Sequence, residues 1–565
     1  MLLTEQGREV ALISRLAEKY GHHRAGLLPI LHAVQAEYGY VSEFAQQQIA
    51  DLLGIQAAEV YGVVTFYHFF NTEPKGKFVI RLASDMSSIM KGARAIARQL
   101  ENDLGISVGE TTPDGLFTLE WTSCIGMNDQ APAMMVNAEV FSNLTPQRAH
   151  QIVETCRQSL RSHRSVAGEI SETKTNTLSY AGYKAETALT KALGMAAGDV
   201  VAEVTSSGMR GLGGAGFPTG IKWKLAAAAP GTDKVIICNA DEGEPGTFKD
   251  RVILGKFADM VFEGMTVAAY AVGAKIGFLY LRYEYTFLRP HLDAVLETRR
   301  KAKLLGENIL GKAGFSFDIG IRMGAGAYVC GEESALIESL EGKRGEPRNR
   351  PPYPVEAGYN GLPTVVNNVE TLASVCCILD KGAAWFAKQG TERSKGFKLF
   401  SVSGDCAKPG VYELPWGTTL AQLLELVGGQ DAKSVQVGGY SGQLVPSTLF
   451  GHKLAFEDLA TGGSIIVYGP QRDMLEVAEN YLEFFVEESC GQCTPCRDGN
   501  AKLLEGIRLL RHGECSSRKL VDLIGLCGTM QITSKCGLGQ TSPNVLIALN
   551  THFKDEIMAR PVAAE

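Results

Sequence analysis

Three cysteines fall within seven residues, at Cys490, Cys493 and Cys496, and a fourth, Cys536, follows forty residues later in SKCGLG. The first three sit on a Gly- and Pro-bent loop behind a helical stripe, so all can point at one centre. A distant fourth thiolate from a neighbouring loop then completes the set that a cubane iron–sulfur cluster takes. Zinc and plain buried thiols are the alternatives. Structural zinc sites usually pair one short-spaced unit with a second, which the three-plus-one layout fits poorly. Thirteen cysteines are an odd number, with several in CC or CxxC spacings, and this reads as reduced thiols with some metal ligation. Cys527 shares an apolar helical stripe with Leu520, Leu523 and Ile524, and packing is its expected role, as for Cys156, Cys376, Cys377 and Cys406.

At roughly 150 residues per domain, 565 residues imply three or four domains. Basic residues number 55 and acidic residues 62, a net charge of −7, so no basic footprint for nucleic acid is expected. The first sixteen residues lack a basic segment followed by an apolar core. The most apolar stretch, Met265 to Val272, is bounded by Glu263 and Lys275, well short of the ~20 residues of a spanning helix. No membrane span and a cytoplasmic location are the expectations.

Residues 1–70 read as helices, with Leu27, Leu28, Leu31, Val34 and Tyr38 at helical spacing. Strand runs at Lys77–Leu82 and Leu116–Trp121 flank a helix at Gly92–Leu104, which suggests a small α/β domain. The Ser/Thr-rich stretch 161–180 reads as a linker. Residues 181–392 alternate short β-like runs (Val235–Cys238, Gly277–Leu281) with helices. Residues 393–470 look like a small β-rich module with one helix. Residues 471–565 turn helical again, and Ser542-Pro543 reads as the opening of a last helix.

Glycine is abundant, at 63 residues, and its clusters carry chemistry. RGLGGAGFPTGIKW (210–223) holds GxGxxG at Gly211, Gly213 and Gly216, with Lys222 close behind. Such loops let backbone N–H groups approach a phosphate. The preceding segment, Asp199–Ser206, reads as either strand or helix, which leaves a plain tight turn open. VIICNADEGEPGTFKDR places Asn239, Asp241, Glu242 and Glu244 where a strand ends, the edge at which α/β sheets bind ligands. A solvated acidic turn is the alternative. A second loop, MGAGAYVCGEES, opens a helix with Glu332 and Glu333 in its first turn, where acids also favour the helix dipole. Asn367 and Asn368 are polar in an otherwise apolar run, and buried amides need partners. No Ser-His-Asp or Cys-His set stands out, and no residue is expected to be catalytic in that sense. A cluster, two nucleotide-like loops and no hydrolytic set point to electron transfer.

RGLGGAGFPTGIKW, ICNADEGEPGTFKDR, GAGAYVCGEESALIESLEG, PTVVNNVET and ESCGQCTPCRDGN…SKCGLG together resemble the flavin-bearing NADH-oxidising subunit of respiratory complex I and its relatives, over residues ~180 to 565. Residues ~1 to 160, with YHFF, GETTPDG and CIGMNDQAPAM, resemble that family's companion subunit, a helical segment plus a thioredoxin-like domain. The fusion resembles most the diaphorase flavoprotein subunits of soluble NAD-reducing [NiFe] hydrogenases; similar subunits occur in NAD-dependent formate dehydrogenases.

The resemblance implies an α/β multidomain fold. A helical plus thioredoxin-like domain (1–160) precedes an FMN/NADH-binding α/β domain (181–392), a β-grasp-like SLBB domain (393–470) and a helical [4Fe–4S] domain (471–565). It implies FMN held by Gly211, Gly213, Gly214, Gly216, Lys222, Asn239, Asp241, Glu242, Tyr328, Gly331, Glu332, Asn367, Asn368 and Thr371. NAD(H) would stack over the flavin, with Phe217 and Tyr353 at the adenine and Glu244 and Glu333 near nicotinamide and ribose. Cys490, Cys493, Cys496 and Cys536 would hold one [4Fe–4S] cluster. Implied partners are an iron–sulfur electron-transfer subunit and [NiFe] hydrogenase subunits, or else those of formate dehydrogenase or complex I. An electron-relay scaffold without nicotinamide turnover is the remaining alternative. Relatives of the N-terminal domain hold a [2Fe–2S] cluster on four cysteines. Here those places are Ala83, Ser88, Cys124 and Asn128, and one thiolate cannot hold a binuclear cluster, so no [2Fe–2S] is expected.

Overall fold

The computed structural model describes residues 5–162 and 166–558. Parts of the N-terminal leader, of the 161–180 linker and of the C-terminal segment lie outside the described residues. Strands form where β-branched and aromatic runs are bounded by turn residues, and they make three sheets. The first joins β1 (Phe78–Ala83), β2 (Phe117–Thr122), β3 (Met134–Val136) and β4 (Glu139–Phe141) in the order β2-β1-β3-β4. β1 runs parallel to β2 and antiparallel to β3. Helices Ala93–Leu104 and Pro146–Ser162 pack on it around a core of its own.

The second sheet contains β5 (Val235–Ala240), β6 (Ile276–Leu281), β7 (Asp318–Met323) and β8 (Thr364–Asn368), ordered β7-β6-β5-β8 and parallel throughout. Its strands are near-continuous apolar runs, as a parallel sheet covered on both faces requires. Ile236, Cys238, Leu279 and Val365 face helices Lys249–Val272 and Val369–Lys381. These two helices approach so closely at Gly264 that a Cβ there would overlap the Leu372 carbonyl. Val235, Ile237, Phe278, Tyr280 and Val366 face the opposite way, onto Leu27, Leu31, Val34, Val63 and Tyr67. The N-terminal helices Leu27–Tyr38 and Ala57–Val64 therefore share a core with the parallel sheet. Grouping 1–160 as one unit misses this, because helical periodicity marks a buried face without naming what it is buried against.

The third sheet, β9 (Phe397–Gly404), β10 (Gly410–Pro415), β11 (Ser434–Val437), β12 (Gln443–Pro446) and β13 (Ser464–Tyr468), is mixed, in the order β10-β9-β13-β11-β12. Helix Leu420–Val427 packs on it. Helices Met474–Glu487, Thr494–His512 and Ser517–Thr533 begin the C-terminal bundle. Its last described turns include Asn544–His552; Ser542 closes the turn before, so that helix begins past the Ser-Pro pair. Residues 166–180 are no loose tether. Glu169 bridges Phe141, Thr175 bridges Val411, and Thr173 bonds Asp129 at 2.8 Å and Arg251 at 3.1 Å. The two bridges are main-chain pairings, and the Thr173 hydroxyl supplies the side-chain bonds.

Because Ile237 is fully buried between the sheet and the N-terminal helices, Ile237→Ala is expected to cost about 2–5 kcal/mol. A urea titration read by circular dichroism measures it; an unchanged midpoint would contradict the shared core.

Candidate functional site

The carboxyl ends of β5 and β8 and the loop after β7 meet at one edge, which gathers Asn239, Asp241, Asn367, Asn368 and the second glycine loop. The first glycine loop lies against this edge. Gly211 N–H donates to the Phe217 carbonyl at 2.9 Å, and the Arg210 guanidinium donates to the Gly216 carbonyl at 2.5 Å. Leu212 N–H donates to Thr371 Oγ1 at 2.9 Å. A Cβ at Gly213 would press on Asn368, while one at Gly214 would enter open space. What precedes the loop is a helix, Ala197–Ser206, so this is not the strand–loop–helix of a dinucleotide fold. Helix Thr219–Ala228 follows the loop.

Several of the expected ligand residues already have protein partners. Lys222 Nζ donates to Glu333 Oε2 at 2.8 Å and to the Val366 carbonyl at 3.1 Å. Asn367 Oδ1 accepts from buried Trp223 at 2.8 Å, and Asn239 Nδ2 donates to the Gly331 carbonyl at 2.9 Å. Glu242 sits at positive φ, and its carboxylate accepts from Asp250 N–H, Arg251 N–H and Tyr285 OH, capping helix Lys249–Val272. Burial, and then Asp250, raise this carboxyl to about 7. Glu332 is the N-cap of helix Glu333–Leu340 and pairs with Arg350 at 2.9 Å, so its structural role is real. Glu244 accepts from Tyr328 OH at 2.6 Å and Ser441 Oγ at 2.6 Å. Burial raises its carboxyl, against the pull of these bonds.

Two groups are left unmatched. Asp241 is buried, and its Oδ2 has no hydrogen-bond partner. Phe217 and Tyr353 are 48% and 51% exposed, unusually open for large rings. Orphaned polar atoms beside a glycine cradle, with open rings at its rim, fit a flat, polar-edged ligand carrying phosphate.

Beneath the cradle lies a charge cluster that sequence reading missed. Lys249 Nζ contacts Asp250 at 2.7 Å, Glu370 at 3.0 Å and Asn368 at 3.1 Å, and Lys398 pairs with Glu370. Lys249 and Asp250 are the KD of the GTFKDR run, the only signal in the sequence for them. Glu370 and Lys398 carry none, since their meeting is a long-range event between β9 and helix Val369–Lys381. Burial, opposed by Glu370 and assisted by Lys249, lowers the Lys398 ammonium to about 7.

The four cysteines also come together. Cys493 and Cys536 stand at the N-cap positions of helices Thr494–His512 and Gly537–Thr541. All four thiols line one small pocket, with Val329 and Leu538 in its wall. Ser489 Oγ lies 3.3 Å and Asn500 Nδ2 3.4 Å from Cys496 Sγ, donors suited to a bound thiolate. Burial pushes the Cys496 thiol up to about 12, so binding there releases protons. Among the described residues no three His, Cys, Asp or Glu converge as ligands of a single ion. Cys527 and Cys515 are buried in the bundle core, and Cys156, Cys376 and Cys377 are buried elsewhere; Cys406 is only partly so.

In the N-terminal domain the residues do not fit a binuclear cluster. Cys124 Sγ lies 3.0 Å from Asn128 Oδ1, Asn128 Nδ2 donates to Asp85 at 2.6 Å, and Ser88 Oγ donates to Asp85 at 2.8 Å. Cys124 is the one thiol among these four side chains, and burial raises it to about 12.

Family comparisons match these segments. Residues 204–377 match the Nuo51 FMN-binding domain and 399–439 the SLBB domain. Residues 476–560 match the NADH-ubiquinone oxidoreductase-F iron-sulfur binding region, and 13–157 the thioredoxin-like [2Fe-2S] ferredoxin family. The chain belongs to the family of FMN- and iron–sulfur-binding, NADH-linked oxidoreductase subunits that these models and its relatives define. It is 42% identical to the NAD-reducing hydrogenase HoxS subunit alpha of Cupriavidus necator, over 96% of this chain and 93% of that one. It is also 42% identical to the F 2 component of the NADH-quinone oxidoreductase of Rhizobium meliloti, over 67% of this chain and 92% of that one. A chain of a crystallised NAD+-reducing [NiFe]-hydrogenase in the H2-reduced state superposes with a TM-score of 0.90, at 36% identity, covering 96% of this chain and 94% of that one.

The depressed Lys398 pKa has a defined sign. An ammonium whose folded value lies below its ordinary 10.5 costs stability in full below about 7, a cost that fades as pH rises towards 10.5. The stability of the natural chain relative to Lys398→Met is therefore expected to increase with pH across that window. Paired urea titrations would show a flat difference if Lys398 were charged throughout.

Proposed function

We propose that the chain is the NAD(H)-oxidising and NAD+-reducing subunit of an NAD-reducing [NiFe] hydrogenase, passing electrons between NAD(H), FMN and one [4Fe–4S] cluster. The carrying observation is one short loop. Gly331 accepts from Asn239 at the glycine cradle, and Val329, two residues earlier, lines the thiol pocket. Flavin edge and cluster would then be separated by a single turn of backbone, the arrangement that electron transfer between them needs.

When bound, FMN exchanges hydride with the nicotinamide and electrons singly with the cluster. The chain's residues bind and orient. Backbone N–H groups at Gly213, Gly214 and Gly216, with Lys222, would meet the phosphate, while Gly211 shapes the loop through its bond to the Phe217 carbonyl. Asn239, Asn367, Asn368 and Thr371 set the cradle floor, and Asp241, Tyr328, Gly331 and Glu332 its inner wall. Glu242 contributes through the backbone it fixes, since its carboxylate caps a helix. Phe217 and Tyr353 would cover the adenine, with Glu333 near the ribose. Holding both rings face to face makes a bimolecular transfer local. Glu244 would disfavour the extra phosphate of NADPH by like-charge repulsion.

The partners proposed are an iron–sulfur electron-transfer subunit and [NiFe] hydrogenase subunits, in the cytoplasm and without nucleic acid. Coverage supports the hydrogenase form over a quinone-linked one. The hydrogenase relative aligns over 96% of the chain, whereas the NADH-quinone oxidoreductase relative aligns over 67%. No helix among the described residues is long and apolar enough to cross a membrane. The N-terminal domain is proposed to be cluster-free despite its family match, because Ala83, Ser88 and Asn128 replace three of the four cysteines.

Three outcomes check this. Purified chain should bind one FMN that NADH bleaches, and the relay-scaffold alternative fails if it does. Iron should be about four per chain, as for one cubane; about six would restore a binuclear cluster. Glu244→Lys should narrow the preference for NADH over NADPH, measured as the ratio of kcat/KM values, and an unchanged ratio would count against its role.

A further inference from the structure

The YHFF run, Tyr67–Phe70, is unused by the function above, yet it is tied to the second glycine loop. His68 and Phe69 N–H groups donate to the Gly326 and Ala325 carbonyls at 3.1 and 3.0 Å. Gly326 has φ +77 and would drive a Cβ into the Phe69 ring. Behind this seam is a narrow polar crevice of about 10 Å³, lined among others by His68, Thr122, Ser123, Asp241, Arg282, Glu284 and Glu488. Three buried atoms of its wall, Asp241 Oδ2, Arg282 Nε and Glu284 Oε2, have no hydrogen-bond partner. His68 and Ala327 also line an outer cavity of about 230 Å³. The His68 side chain is 46% exposed, so it stands at the mouth.

A polar site of this size with several unmatched groups has room for about one water. Resting on the function proposed above, the chemistry also needs it. Converting oxidised flavin into its hydride-donating form takes two electrons and one proton; hydride then leaves to NAD+, and the reverse reaction returns all three. The electrons travel by the thiol pocket, but no route for the proton has been assigned.

We propose that this crevice holds a water that relays protons between its mouth at His68 and Asp241, the proton donor and acceptor at the flavin site. Asp241 and Glu284 each keep an unmatched carboxyl oxygen there, and Arg282, Glu488 and Tyr328 line the same crevice. Burial holds its carboxyl well above the usual range, opposed by Arg282 and assisted by Glu284 and Glu488, so it has a proton to give. Glu488 is a fixed acceptor, taking the Tyr328 N–H at 2.9 Å. The passage also gives the cluster-free N-terminal domain a use, since Thr122 and Ser123 form part of its wall.

The test is infrared difference spectroscopy of the full flavin-loaded chain on reduction by NADH, in H2O and in D2O. A carboxylic-acid carbonyl band should be present, be lost in Asp241→Asn and move in Asp241→Glu. Its deuterium shift should complete within mixing in the natural chain. In His68→Leu, which closes the mouth, the shift should slow by on the order of tenfold or more. Ala327→Phe fills the same passage without removing an ionisable group and decides the matter if His68→Leu does not fold. Absence of an Asp241 band, or exchange as fast in the blocked variants as in the natural chain, overturns the proposal. Bleaching of the natural flavin by NADH is read in the same experiment. If bleaching holds and the band is missing, the passage alone falls; if bleaching fails, the parent reading falls with it.

Discussion

A parallel sheet must be covered on both faces, and here the two covers come from distant parts of the chain. Helices Lys249–Val272 and Val369–Lys381 close one face of β5–β8; Leu27–Tyr38 and Ala57–Val64 close the other. The residues between and just after the strands supply helices for the first face, and the second is covered by the N-terminal segment. That dependence explains why the fusion is structural rather than a tether. The same segment hydrogen-bonds the second glycine loop at Ala325 and Gly326 and reaches Lys343 through Tyr67 OH at 2.9 Å. The loop between cradle and thiol pocket is thus held by the sheet on one side and by the N-terminal segment on the other.

Charge is handled at the same edge by burial in pairs. Lys249, Asp250, Glu370 and Lys398 are nearly inaccessible and sit where the SLBB sheet meets the helices of the parallel sheet. Buried ion pairs contribute little net stability, but removing one partner leaves an uncompensated charge at a cost of about 3–5 kcal/mol. The cluster therefore fixes one docking geometry, and Asn368, bonded to both Lys249 and Asp250, carries that geometry to the floor of the glycine cradle. Glu242 performs the same service by capping a helix. An acidic residue within a binding motif can act through the backbone it pins.

What was legible in the sequence was whatever local chemistry dictates. The thiol spacing, the glycine loops and the strand-end acids all marked residues that the structure gathers into two neighbouring sites. The periodicity at Leu27–Tyr38 marked a real helix. Long-range pairing was not legible: nothing in KLFSVSG says that Lys398 meets Glu370, and nothing in YHFF says that it pairs with a loop more than 250 residues away. The polar stretch 166–180 was misleading for a related reason. Ser and Thr are common in linkers because they satisfy backbone groups locally, and the same hydroxyls can stitch a strap to two sheets. Asp199–Ser206 was ambiguous because Val-rich runs suit either element, and burial of Val200, Val201 and Val204 decided for helix.

The N-terminal pocket is organised by side chains that satisfy one another. Ser88, Asp85, Asn128 and Cys124 form one buried hydrogen-bonded chain, and three of them, with Ala83, occupy the places at which the family resemblance implies cluster ligands. Its surroundings are committed to other parts of the protein. Met86 N–H donates to Tyr440 OH at 2.6 Å, Ser87 meets Ser403 at 3.1 Å, and Arg282 donates to the Cys124 carbonyl at 2.7 Å. Polar groups buried this deeply must be matched. Here the matching is done within the pocket and by bonds from it to the SLBB sheet and to Arg282 just past β6, so the domain is fastened to both neighbours through the same few residues.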